Sequence, residues 1–112
     1  PAGALCGDGS MDARKCLSYL TIEHRGPLPE EAGEQMGTCF YGCDRCAEVC
    51  PWNRFARPSE EAAFAPSAEL LRMKTEDWQA LDVETYRRLF KGSAVKRAKY
   101  EGLRRNIDAW KP

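Results

Sequence analysis

The chain has 112 residues, balanced charge with 17 Lys and Arg against 17 Asp and Glu, and six cysteines. That length holds one small domain, or one with an appendage, and the ordinary apolar content argues against disorder. No apolar run reaches the ~20 residues of a bilayer-spanning helix, and no basic leader marks a secretory signal, so a soluble cytoplasmic protein away from membranes is expected.

Residues 1–11 are rich in Gly and small residues and read as loop. Asp12 can cap a helix over residues 13–21, with Leu17, Leu20 and Thr21 on one face and Gly26-Pro27 ending it. Pro29-Glu30-Glu31 opens a second short helix, with proline and carboxylates in its first turn, and Gly37 closes it. Residues 43–55 form a tight cysteine-rich turn with a short helix. Residues 56–66 contain two prolines and read as a connector. Residues 67–74 are predicted helical, with Leu70, Leu71 and Met73 apolar. Thr75 then caps a turn that carries Glu76 and Asp77 and leads to Trp78 and Leu81. Residues 84–89 are helical, with Tyr86, Leu89 and Phe90 buried. Ser93 caps a last helix running to Trp110, whose apolar side carries Val95, Ala98, Leu103, Ile107 and Trp110. Strand signals are nearly absent, so the predicted fold is mainly all-α.

The charge is unevenly placed. From residue 91 onward Lys91, Lys96, Arg97, Lys99, Arg104, Arg105 and Lys111 meet only Glu101 and Asp108, so this end carries about +5 and the rest about −5. A basic end points to an anionic partner such as nucleic acid. A solvated helix face is an equal alternative on charge alone.

The most informative stretch is Gly42-Cys43-Asp44-Arg45-Cys46-Ala47-Glu48-Val49-Cys50-Pro51. Its spacing, C-x2-C-x3-C-P, is the last part of the bacterial ferredoxin run C-x2-C-x2-C-x3-C-P. Close spacing lets thiolates converge on one iron–sulfur cube, and the proline turns the chain away. Cys16 is the best candidate for the missing member. Zinc also accepts four thiolates, but a second C-x2-C or a histidine pair is absent. Three disulfides would suit a secreted chain, which nothing here suggests. Cys6 and Cys39 are expected to be buried, inert thiols, and His24 is given no role.

Three blocks, residues 12–23, 42–53 and 92–106, resemble the C-terminal half of epoxyqueuosine reductases. The family resemblance implies half of a two-cluster ferredoxin-like module over residues 1–55, a connector over 56–66, and HEAT-like helices over 67–112. It implies two [4Fe-4S] clusters, a cobalamin-binding catalytic domain upstream, and reduction of epoxyqueuosine to queuosine in the anticodon loop of tRNA. In two-cluster ferredoxins the last cysteine of each run serves the other cluster. The resemblance therefore gives Cys16, Cys43 and Cys46 to one cluster, with a fourth ligand upstream, and Cys50 to the other. Pro1-Ala2-Gly3-Ala4 resembles the Pro and turn that follow the family's first run, so the chain reads as a fragment that would be inactive alone. The tail cations Lys96, Arg97, Lys99, Arg104 and Arg105 become candidate tRNA contacts. The electron donor is not identified, and a monomer is expected. Two other functions compete: a stand-alone carrier with one [4Fe-4S] cluster on Cys16, Cys43, Cys46 and Cys50, and a zinc-stapled nucleic-acid-binding helical module.

Overall fold

Short helices dominate residues 2–112, the part of the chain that the computed structural model describes; Pro1 of the expected N-terminal turn lies outside it. The α-helices are α1 (Leu17–Ile22), α2 (Ala32–Met36), α3 (Arg45–Glu48), α4 (Ala68–Arg72), α5 (Thr75–Gln79), α6 (Val83–Leu89) and α7 (Lys99–Ala109). Among the described residues there is no strand, only an isolated bridge between Leu5 and Met11.

The helix expected over residues 13–21 is broken. Asp12 accepts from the Arg14 amide at 3.1 Å and caps a 3-10 turn, Ala13–Lys15. Cys16 is then extended, at φ −80° and ψ 115°, before α1 starts. The last helix is broken too. Ser93 caps a 3-10 segment, Ala94–Ala98, rather than α7 itself. Lys99 at the junction has φ +60°, a conformation that a side chain with a Cβ rarely adopts, and it redirects the chain into α7. Thr75 lies inside α5 rather than capping it. Lys74 is the cap position, and its amide donates to the Asp77 carboxylate at 2.8 Å. Asp82 caps α6 by accepting from the Thr85 amide at 2.7 Å. That backbone bond holds the Asp82 carboxyl below its usual range, so the cap is intact above about pH 4 and is lost as pH falls through the lowered value.

Leu81, Tyr86, Phe90, Leu103 and Ile107 form the buried core, drawn from α6, α7 and the residue after α5's turn. Burying each such side chain contributes about 1.5–3 kcal/mol before entropy is counted. Phe40, just ahead of the cysteine-rich turn, sits with its ring centroid 4.9 Å from both Trp78 and Trp110. The C-terminal core thus holds the segment that delivers Cys43. Leu71, expected on an apolar face, is exposed, because α4 turns it away from this cluster.

Helix α7 also packs on α1 and α2. Gly33 of α2 lies so near α7 that a Cβ there would stand 2.1 Å from the Ala109 carbonyl oxygen. The indole of Trp110 donates to the Gly37 carbonyl at 2.7 Å, next to the same contact. Residues 51–67 are exposed throughout and contain only short turns, Pro51–Phe55 and Ala62–Phe64, before α4 begins. Gly33→Ala should destabilise the fold by about 1–3 kcal/mol, the usual cost of forcing extra volume into a packed contact. Urea unfolding should give a lower midpoint at an unchanged slope.

Candidate metal centre

The break at Cys16 has a structural effect: it frees that residue from helical geometry at the mouth of α1. Cys43 precedes α3, and Cys46 lies within it. These three residues line one cavity of about 160 Å³, walled otherwise by Ala2, Ala4, Leu5, Met11, Leu17 and Arg45. Cys50 is not part of that wall. It stands at the start of the Pro51–Phe55 turn, which Asn53 ties back to α3 by donating to the Ala47 carbonyl at 2.8 Å. All six cysteines are free thiols.

Three soft thiol donors around an apolar-walled space suit an iron–sulfur cube, whose irons each take one thiolate. They suit a single ion less well. Among the described residues no three His, Cys, Asp or Glu side chains converge closely enough to hold one metal ion. Structural zinc needs four ligands on one centre, so the zinc staple is not favoured. The Arg45 guanidinium, anchored on the Met36 carbonyl at 3.3 Å, borders the cavity and can offset thiolate charge.

Two neighbours of these cysteines share one buried hydroxyl. Thr21 Oγ1 donates to the Leu17 carbonyl at 2.7 Å and accepts the Gly42 amide at 2.9 Å. Gly42 has φ +72°, where glycine is favoured. The Thr21 carbonyl in turn accepts from Asn106 Nδ2 at 2.7 Å. The sequence places Thr21 on an apolar helix face and gives Asn106 no role. The signal for both lies in residues 12–23 and 92–106, which carry the family resemblance.

Cys6 and Cys39 correct an expectation: both are exposed, not buried. Each sits on a turn. The Cys6 amide donates to the Ser10 carbonyl, and that of Cys39 donates to the Met36 carbonyl. The ring nitrogen of His24 meets the Pro27 carbonyl at 3.0 Å.

The five tail cations separate into two groups. Arg97 pairs with Glu23, which lowers that carboxyl below its usual range. Arg104 binds Asp108 and donates to the Gln79 carbonyl at 2.8 Å. Arg105 donates to the carbonyls of Leu20, His24 and Gly26 at 2.8–3.0 Å, and burial pushes its guanidinium below the usual arginine value. Lys96 and Lys99 are exposed, and neither is in an ion pair among the described residues. No helix of the described residues is long and apolar enough to cross a membrane.

Residues 1–53 match a family described as a 4Fe-4S double cluster binding domain. An epoxyqueuosine reductase of Cellulophaga algicola is 42% identical over 96% of this chain and 35% of its own length. One from Cyclobacterium marinum is 44% identical over 96% of this chain and 34% of its own. The crystal structure of a selenomethionine-labelled epoxyqueuosine reductase superposes with a TM-score of 0.82 at 28% identity, covering 97% of this chain and 29% of that one. The likeness drawn from the three sequence blocks is borne out, and the chain spans about a third of the length of the curated relatives it matches.

In the cluster-loaded holoprotein, iodoacetamide should modify Cys6 and Cys39 readily and leave Cys16, Cys43, Cys46 and Cys50 protected. Peptide mass spectrometry reads this directly. Protection of Cys39 equal to that of Cys43 would count against the ligand assignment.

Proposed function

Since the chain is a relative of the epoxyqueuosine reductases over about a third of their length, we propose that it is the iron–sulfur, electron-relay and tRNA-contacting segment of such an enzyme. Cys16, Cys43 and Cys46 hold one [4Fe-4S] cluster whose fourth thiolate comes from outside this chain. Cys50 belongs to the second cluster. The observation that carries the reading is that Cys16, Cys43 and Cys46 all line one cavity, with Cys50 off its wall. A stand-alone carrier would need all four around a single cluster, and this geometry does not favour it.

In finer detail, residues 1–55 form half of a ferredoxin-like module, and residues 67–112 begin a HEAT-like helical part. The exposed, turn-only stretch at 51–67 supports a connector between them. Removing an epoxide oxygen as water takes two electrons and two protons. When bound, the clusters supply electrons one at a time, toward a cobalamin held in a catalytic part of the enzyme that this chain does not include. What the chain's own residues do is narrower. They bind the clusters, back them with the buried apolar side chains of Ala4 and Leu17, and present cations to tRNA. A reducing, cytoplasmic compartment would keep Cys6 and Cys39 as thiols and leave the other four to the clusters. A monomer engaging the anticodon region of tRNA completes the proposal.

The arginines of the tail have internal duties, so the proposed phosphate contacts centre on Lys96 and Lys99, with the exposed edge of Arg97 beside them. Such contacts position the nucleic acid without reading its bases.

Two measurements test this. Anaerobic iron and sulfide analysis of the holoprotein should find two clusters. Cys16→Ser, Cys43→Ser or Cys46→Ser should each strip one of them, and full retention in all three would end the reading. For the tail, Lys96→Glu with Lys99→Glu should weaken tRNA binding at unchanged iron content and lower the salt slope by about 1 for every phosphate no longer neutralised. Equal affinities and equal slopes in a filter-binding titration would leave the tail purely structural.

A further inference from the structure

We infer that Thr21 is a positioning residue for the cluster cage: its buried hydroxyl fixes the segment carrying Cys16 against the segment carrying Cys43. This rests on the iron–sulfur reading above.

Thr21 and Asn106 are both 0% exposed. A hydroxyl has one proton to give and lone pairs to receive. Thr21 gives its proton to the carbonyl of Leu17, the residue bonded to Cys16. It receives the amide of Gly42, the residue bonded to Cys43 and 21 positions along the chain. One oxygen atom therefore joins the backbone on either side of the cavity. A helical threonine bonding back to the i−4 carbonyl is commonplace. The second bond, from a chain segment arriving from elsewhere, is what makes Thr21 a tie. Thr21 is not itself on the cavity wall, so it acts through the cysteines and not on the cluster.

The tie is held from behind. Asn106 donates to the Thr21 carbonyl at 2.7 Å, and the Asn106 side-chain oxygen accepts from Arg105 at 2.8 Å. Among the described residues no buried side-chain nitrogen or oxygen lacks a partner. Valine at position 21 would keep the shape but leave the Gly42 amide unpaired in a partly buried setting, which favours departure of Gly42, and Cys43 with it, from the observed geometry.

The experiment uses the cluster-loaded holoprotein with Thr21→Val, Thr21→Ala and Thr21→Ser. Asp82→Ala serves as a control that removes the cap of α6 and weakens the fold without touching either cysteine segment. Four quantities are read: iron and sulfide per chain, the rate of iron loss to an Fe(II) chelator, the EPR spectrum of the reduced cluster, and the thermal midpoint. T21V and T21A should lose iron about tenfold faster than the parent and show altered EPR features, the scale expected from one unpaired, partly buried amide. T21S, which keeps the hydroxyl, should stay within about twofold of the parent rate. D82A should lower the midpoint while keeping the parent's rate and spectrum. If T21V does not fold, the comparison of T21A with T21S isolates the hydroxyl. Parent-like iron loss and spectra in T21V or T21A, or loss in D82A matching theirs, would overturn the inference. A parent protein that takes up no iron and sulfide would instead overturn the iron–sulfur reading, and this inference with it.

Discussion

The guanidinium of Arg105 is half-buried and has no carboxylate to answer it among the described ion pairs. Its charge is solvated by carbonyls at and beyond the end of α1, those of Leu20, His24 and Gly26. A six-residue helix leaves most of its carbonyls without an intrahelical partner, so α1 on its own would be marginal. The tail supplies the missing cap from 79 to 85 positions away. Where α1 lies determines where Cys16 lies, and the geometry of the thiol cavity follows from a side chain in the last helix.

This dependence changes how the basic tail is read. A cation counted from sequence is a charge in search of a partner. Three of the tail's arginines have found theirs inside the molecule, in Glu23, Asp108 and a set of backbone carbonyls. Guanidinium groups suit this work because their planar array of donors can serve several acceptors at once. The lysines, compact and strongly hydrated, stay at the surface. The division of labour follows side-chain chemistry more closely than it follows position along the helix.

Local punctuation is legible in the residues themselves. Gly37 ends α2, Asp12 caps the first 3-10 turn, and the apolar spacing of Leu103 and Ile107 marks the buried side of α7. The cysteine spacing points to Cys43 and Cys46, and the choice of Cys16 agrees with the cavity that all three share. Two helix breaks, at Cys16 and at Lys99, are not legible, because Cys16 turns extended inside an otherwise helical pattern and Lys99 takes a positive φ that local propensity disfavours. The exposure of Cys6 and Cys39 is hidden for a related reason. A cysteine's usual burial is a statistical tendency, whereas these two sit on turns whose backbone bonds keep them at the surface. The Thr21–Asn106 bond joins residues 85 positions apart, and nothing local announces it.

The exposed stretch over residues 56–66 leads from the cysteine-rich turn to helices that fold back onto its own neighbourhood. On one side Asn53 is tied to α3 and on the other Glu69 pairs with Arg88, so its two ends are fixed in space by contacts that do not involve it. A surface loop so anchored can lengthen at little thermodynamic cost, about 0.6 kcal/mol for each doubling. This is where evolution can insert sequence without disturbing either the thiols or the core. Chains of this architecture have room there to diverge in length while the cage behind them stays the same.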